Sequence, residues 1–117
     1  MNCTVDKAMN MTEIEENLHR IPNWDADWGG NLYGKYHLLK EIKTKSWRES
    51  MHVLSIIDEL AEKENHHPRI ALSWGEVVIV LYTHSIDGLH SNDFILASKI
   101  DKIDPNAAFI PLKKIKE

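Results

Sequence analysis

Cysteine is almost missing from these 117 residues. Cys3 stands alone, so no intrachain disulfide can form and no cysteine-based zinc site is available. A reducing compartment is the expectation. No apolar run approaches the roughly 20 residues needed to span a bilayer, and Met1 to Lys7 has no apolar centre of the kind a secretory signal carries. Positive charge is not in surplus. Fourteen Lys and Arg against eighteen Asp and Glu leave a net charge of −4, which argues against a nucleic-acid footprint. The basic clusters at Lys40, Lys43, Lys45 and Arg48 and at Lys113, Lys114 and Lys116 read as solvated surface. No phosphate-cradling loop, Gly-x-Ser-x-Gly elbow or lysine nucleophile stands out. Cys3 has no base placed beside it, so covalent catalysis is not expected. A cytoplasmic protein with no membrane and no direct nucleic-acid contact is the reading.

What is present is one domain's worth of ordinary globular sequence, 43% hydrophobic and 27% charged. Residues 1–9 show no period and are expected to be a loose arm. Asn10 or Thr12 caps a predicted helix in which Ile14, Leu18 and Ile21 recur on one face. Glu13, Glu15 and Glu16 sit early, where the helix dipole favours them, and Pro22 stops it. Trp24 to Trp28 alternates like a strand, Gly29-Gly30-Asn31 signals a turn, and Leu32 to Lys40 is its partner. Ser46 with Glu49 forms a predicted capping box for a long helix from Trp47 to about Lys63, with a stripe of Val53, Ile56, Ile57, Leu60 and Ala61. Ile70 to Trp74 and Glu76 to Tyr82 read as two strands about Gly75, the second rich in β-branched residues. Ser91 is expected to cap a last helix, with Phe94, Ile95, Ala97 and Ser98 facing inward. The order α-β-β-α-β-β-α predicts a single α+β domain over residues 10–104: a four-stranded antiparallel sheet with helices packed on one face. Residues 105–117 are a tail.

The chemistry gathers in Glu62, His66-His67-Pro68, Trp74, Thr83-His84 and Asp93. Imidazole, with an ordinary pKa near 6.5, both takes and gives a proton close to neutrality. Adjacent His66 and His67 point opposite ways in extended backbone, so they are expected to have different jobs. Glu62 lies one helical turn before His66 and is placed to orient it. Asp93, at a helix start, is placed to hold His84 or a ligand nitrogen. A metal site is the sharpest rival, but the histidines lack H-x-H or H-x-x-x-H spacing and a neighbouring pair converges poorly on one ion. His19, His37, His52 and His90 read as surface or boundary residues, and Trp24, Trp28 and Trp47 as core or interface.

Taken in order, these residues resemble the motif of the pterin-4a-carbinolamine dehydratases. Ile21-Pro22-Asn23-Trp24, Tyr33-Gly34-Lys35-Tyr36-His37-Leu38 and the run Gly88 to Ala97 resemble further segments of that family, so the likeness covers roughly Asn10 to Ile103. Departures fall at Ile70, often aromatic in the family, at Leu72-Ser73-Trp74, and at Asn65, often acidic. The resemblance implies the same fold and a hydro-lyase reaction, removal of water from 4a-hydroxytetrahydrobiopterin. It implies His66 and His84 as the acid/base pair, His67 as a pterin contact and Trp74 as a wall for the flat ring. Glu62 and Asp93 then act in support, with Thr83 and Ser85 beside the substrate. No cofactor and no metal are implied, since the pterin is itself the substrate. A homodimer or homotetramer is implied, with a pterin-dependent aromatic amino acid hydroxylase as metabolic partner. The alternative is a non-catalytic binding module on the same fold, a transcription dimerisation cofactor or assembly factor. Retention of all three histidines favours the enzyme.

Overall fold

The computed structural model describes residues 7–28 and 36–103. Cys3, the Gly29-Gly30-Asn31 turn, the segment 32–35 and the lysine-rich end lie outside the described residues.

Helix α1 (Met11–Leu18) opens on Asn10, whose side chain accepts from the Glu13 N–H at 2.8 Å while Glu13 accepts from the Asn10 N–H at 2.9 Å. This reciprocal box satisfies two donors that the first helical turn leaves open. The helix ends earlier than its apolar period suggests. Ile21 and Trp24 are reached instead by turns, through bonds to the carbonyls of Leu18 and Ile21. Strand β1 (Asp25–Trp28) pairs with β2 (Tyr36–Lys43), and β2 pairs with β4 (Glu76–Leu81). Strand β3 (Arg69–Ser73) occupies the far edge. All pairings are antiparallel, in the order β1-β2-β4-β3.

Alternation along the strands sorts side chains between two faces. On one face Leu38 lies opposite Leu81, Lys40 opposite Ile79 and Ile42 opposite Val77, and all six are buried. Onto this face pack Ile14 of α1, Val53 and Ile57 of α2 (Trp47–Glu64), and Phe94, Leu96, Ala97 and Ile100 of α3 (Ser91–Asp101). The expected α+β domain is the one observed. Lys40, set among apolar neighbours, gives its ammonium to Asp101 at 2.5 Å, and the Trp24 indole N–H donates to the same oxygen at 2.8 Å. The charge thus enters the core already matched.

Four local expectations are corrected. In α3 the inward face is Phe94, Leu96, Ala97 and Ile100, whereas Ile95 is exposed. The cap of α3 is His90, not Ser91: its Nδ1 accepts from the Asn92 N–H at 3.2 Å. In α2, Ser46 accepts from Glu49 N as expected, but the Glu49 carboxylate returns to the Lys45 N–H. Ala8 and Met9, read as part of a loose arm, are docked: the Met9 N–H donates to the Leu89 carbonyl at 2.9 Å.

Candidate active site

The site grows out of the way α2 stops. Asn65 adopts the left-handed conformation at φ 53°, which asparagine tolerates better than most residues. Its N–H bonds the Glu62 carbonyl at 3.2 Å, and the His66 N–H reaches back to Ala61 at 3.0 Å. This is the Schellman pattern, in which two otherwise open carbonyls are satisfied by the residues that leave the helix. The departure at position 65 therefore has a backbone reason. The reversal delivers His66 and His67 at a defined angle to the start of β3.

The two imidazoles then diverge, as adjacent residues in extended chain do. His66 turns toward α3. Its Nε2 donates to Asp93 Oδ1 at 2.5 Å, and its side chain is only 16% exposed. Asp93 is fully buried and takes two more donors on Oδ2, the Thr83 hydroxyl at 2.8 Å and the His90 N–H at 2.9 Å. A buried carboxylate with three donors is satisfied where an unpaired one would be costly. With the carboxylate as acceptor, neutral His66 carries its proton on Nε2 and keeps a lone pair on Nδ1. His67 turns outward to Glu62, 2.6 Å away, with both side chains more than half exposed.

Both carboxylate assignments change partners. Glu62 holds His67 rather than His66, because the helix reversal swings His66 away from the α2 surface. Asp93 holds His66 rather than His84, because α3 starts beside the α2 exit. His84 begins a single 3-10 turn (His84–Ile86) closed by Asp87 in the left-handed region and by the Thr83–Gly88 bridge. Its side chain stays exposed. His67, Pro68, Arg69, Tyr82 and His84 line one open recess of about 320 Å³.

Trp74 is not part of that recess. It occupies the β3–β4 turn and is 71% exposed. Seven residues of extended chain separate it from His67, a distance of roughly 20 Å. Ser85 is exposed and does not line the recess, and Thr83 serves Asp93 from behind it. Tyr82 and Arg69 do line it and were not singled out from sequence; Tyr82 carried a usable signal, an aromatic two residues before His84 at a strand end. Among the described residues no three His, Cys, Asp or Glu side chains gather as a potential metal-binding group.

Residues 7–103 match the family model described as pterin 4 alpha carbinolamine dehydratase. A relative from Alkaliphilus metalliredigens, named "Putative pterin-4-alpha-carbinolamine dehydratase", is 51% identical over 82 residues, covering 70% of this chain and 72% of its own. One of the same name from Saccharophagus degradans is 40% identical over 91 residues, covering 78% of each. The crystal structure titled transcriptional coactivator/pterin dehydratase from Brucella melitensis superposes with a TM-score of 0.72 at 22% identity, over 84% of this chain and 99% of that one. At that identity the likeness speaks to the fold.

Proposed function

We propose that this chain, which belongs to the pterin 4 alpha carbinolamine dehydratase family, removes water from a 4a-hydroxytetrahydropterin such as 4a-hydroxytetrahydrobiopterin. The observation that carries the reading is the meeting of His67 and His84 on one recess, with the neighbouring His66 fixed by a buried carboxylate. In the reaction the N5 proton goes to a base and the N5 electron pair forms the C4a–N5 double bond. The C4a–O bond breaks onto oxygen, which leaves as water after taking a proton from an acid. The products are quinonoid dihydropterin and water, with no net oxidation.

Imidazole suits both roles near pH 7, and each proton transfer contributes roughly 10² to 10⁴ in rate. In this reading His66 and His84 are the acid/base pair and His67 contacts the pterin. Asp93 fixes the tautomer of His66, Thr83 steadies Asp93, and Glu62 orients His67. No metal or organic cofactor is required by this chemistry. The setting proposed is cytoplasmic, as a homodimer or homotetramer, with a pterin-dependent aromatic amino acid hydroxylase supplying the substrate. No helix among the described residues is long and apolar enough to cross a membrane. The Brucella protein's title also names a coactivator; for this chain the histidine recess favours the enzyme over a binding module.

The test is dehydration of synthetic 4a-hydroxytetrahydropterin, followed by ultraviolet absorbance after chelator treatment. Wild-type acceleration that falls at least tenfold in both His66→Ala and His84→Ala is expected. A folded wild type that does not exceed the spontaneous rate overturns the proposal.

A further inference from the structure

The motif supplies Trp74 as the surface for a flat ring, yet Trp74 stands at the other end of the β3–β4 hairpin. Ile70, where the family often has an aromatic, pairs with Ile79 and packs against the core. Neither position thus supplies an aromatic face to the recess. One other aromatic lines it. Tyr82 follows β4 directly, is half-buried, and shares the recess with His67 and His84. Its ring centroid lies 6.1 Å from that of His84, with the planes tilted by 56°.

We propose that Tyr82 is the stacking platform of this site, the residue on which the bicyclic pterin lies. The inference rests on the proposed pterin chemistry and adds which side chain holds the ring. Three observations support it. The Tyr82 and His84 rings lie 6.1 Å apart and both line the recess, so a flat ring lying on Tyr82 is within reach of His84. Tyr82 is anchored, because it also packs against the apolar core, and little side-chain freedom remains to be lost on binding. An aromatic face also attracts flat heterocycles without regard to their substituents: stacking of a nucleobase on an aromatic side chain is worth about 1–3 kcal/mol, and aromatic pairs gain through offset or tilted geometry. The phenol hydroxyl is not needed for this role.

The test measures equilibrium dialysis of 7,8-dihydrobiopterin, which lacks the 4a-hydroxyl and cannot be dehydrated, against wild type, Tyr82→Phe, Tyr82→Ala and Trp74→Ala. Dehydration kinetics are run in parallel. Tyr82→Ala is expected to weaken dialysis binding about tenfold and to raise KM by a similar factor with kcat changed less than threefold. Tyr82→Phe and Trp74→Ala should stay within twofold of wild type. Binding by folded Tyr82→Ala within twofold of wild type overturns the platform. So does a tenfold loss in Tyr82→Phe, which would make the hydroxyl the functional group. A wild type that binds the dihydropterin through Tyr82 but does not accelerate dehydration leaves the platform standing and removes the proposed reaction. Absence of any binding by wild type overturns the platform too.

Discussion

Replacing Asp93 by asparagine alters one atom's chemistry and leaves shape almost unchanged, and the hydrogen bonds around it force a definite outcome. Oδ2 receives the His90 N–H and the Thr83 hydroxyl, and Oδ1 receives His66 Nε2. An amide has one acceptor and one donor end. Its NH₂ cannot face the His90 backbone N–H, which has no other protonation state. The carbonyl must therefore take the Oδ2 position, and the NH₂ must face His66. A donor there requires Nε2 to accept, so the imidazole proton moves to Nδ1. In the neutral form of the ring, ¹⁵N chemical shifts of His66 should report the Nε2–H tautomer in wild type and the Nδ1–H tautomer in Asp93→Asn. Loss of the charge-assisted bonds costs about 1–3 kcal/mol in unfolding free energy by denaturant titration. Dehydration should slow by on the order of 10², as expected when a proton-transfer group is held in the wrong form. An unchanged His66 tautomer in a folded Asp93→Asn refutes the reasoning, as does stability unchanged within about 0.5 kcal/mol.

Other expectations follow from features away from the recess. Asp101→Ala removes the acceptor shared by the Lys40 ammonium and the Trp24 indole, and should destabilise the fold by roughly 3 kcal/mol in urea unfolding. Gly88→Ala would place its Cβ 2.6 Å from the Ala8 Cβ; a loss of about 1–3 kcal/mol is expected, most of it recovered in the double variant with Ala8→Gly. Burial pushes the His37 pKa below its ordinary 6.5, with Asp27 partly opposing. The unfolded chain then binds that proton at higher pH than the fold does, so stability should fall as pH drops below about 6.5. His37→Gln should flatten that limb of a stability–pH profile, and Asp27→Asn should steepen it.

The architecture was legible because each element carried its own local signal. The Ser46 cap, the α2 stripe, the turn at Gly75 and the β-branched run of β4 did not depend on knowing the partners. Two helix ends were misplaced where backbone geometry outranked periodicity. In α1 the apolar spacing runs on to Ile21, although the chain has already turned at Leu18. At α3 an imidazole does the work usually given to serine. The divergence of His66 and His67 was legible from strand alternation. Their partners were not, since which carboxylate meets which ring depends on how α2 ends and where α3 begins. Tyr82 carries a sequence signal in its place two residues before His84, but its position beside His67 follows only from the assembled recess.

The bond from His66 to Asp93 joins positions 27 residues apart. It therefore requires that β3, β4 and the start of α3 be in place together, and the site exists only as long as that loop of chain is closed. Fraying at the first turn of α3 in the native state would release His66 without unfolding the sheet, making the site the part of the molecule whose lifetime is set by the start of its last helix.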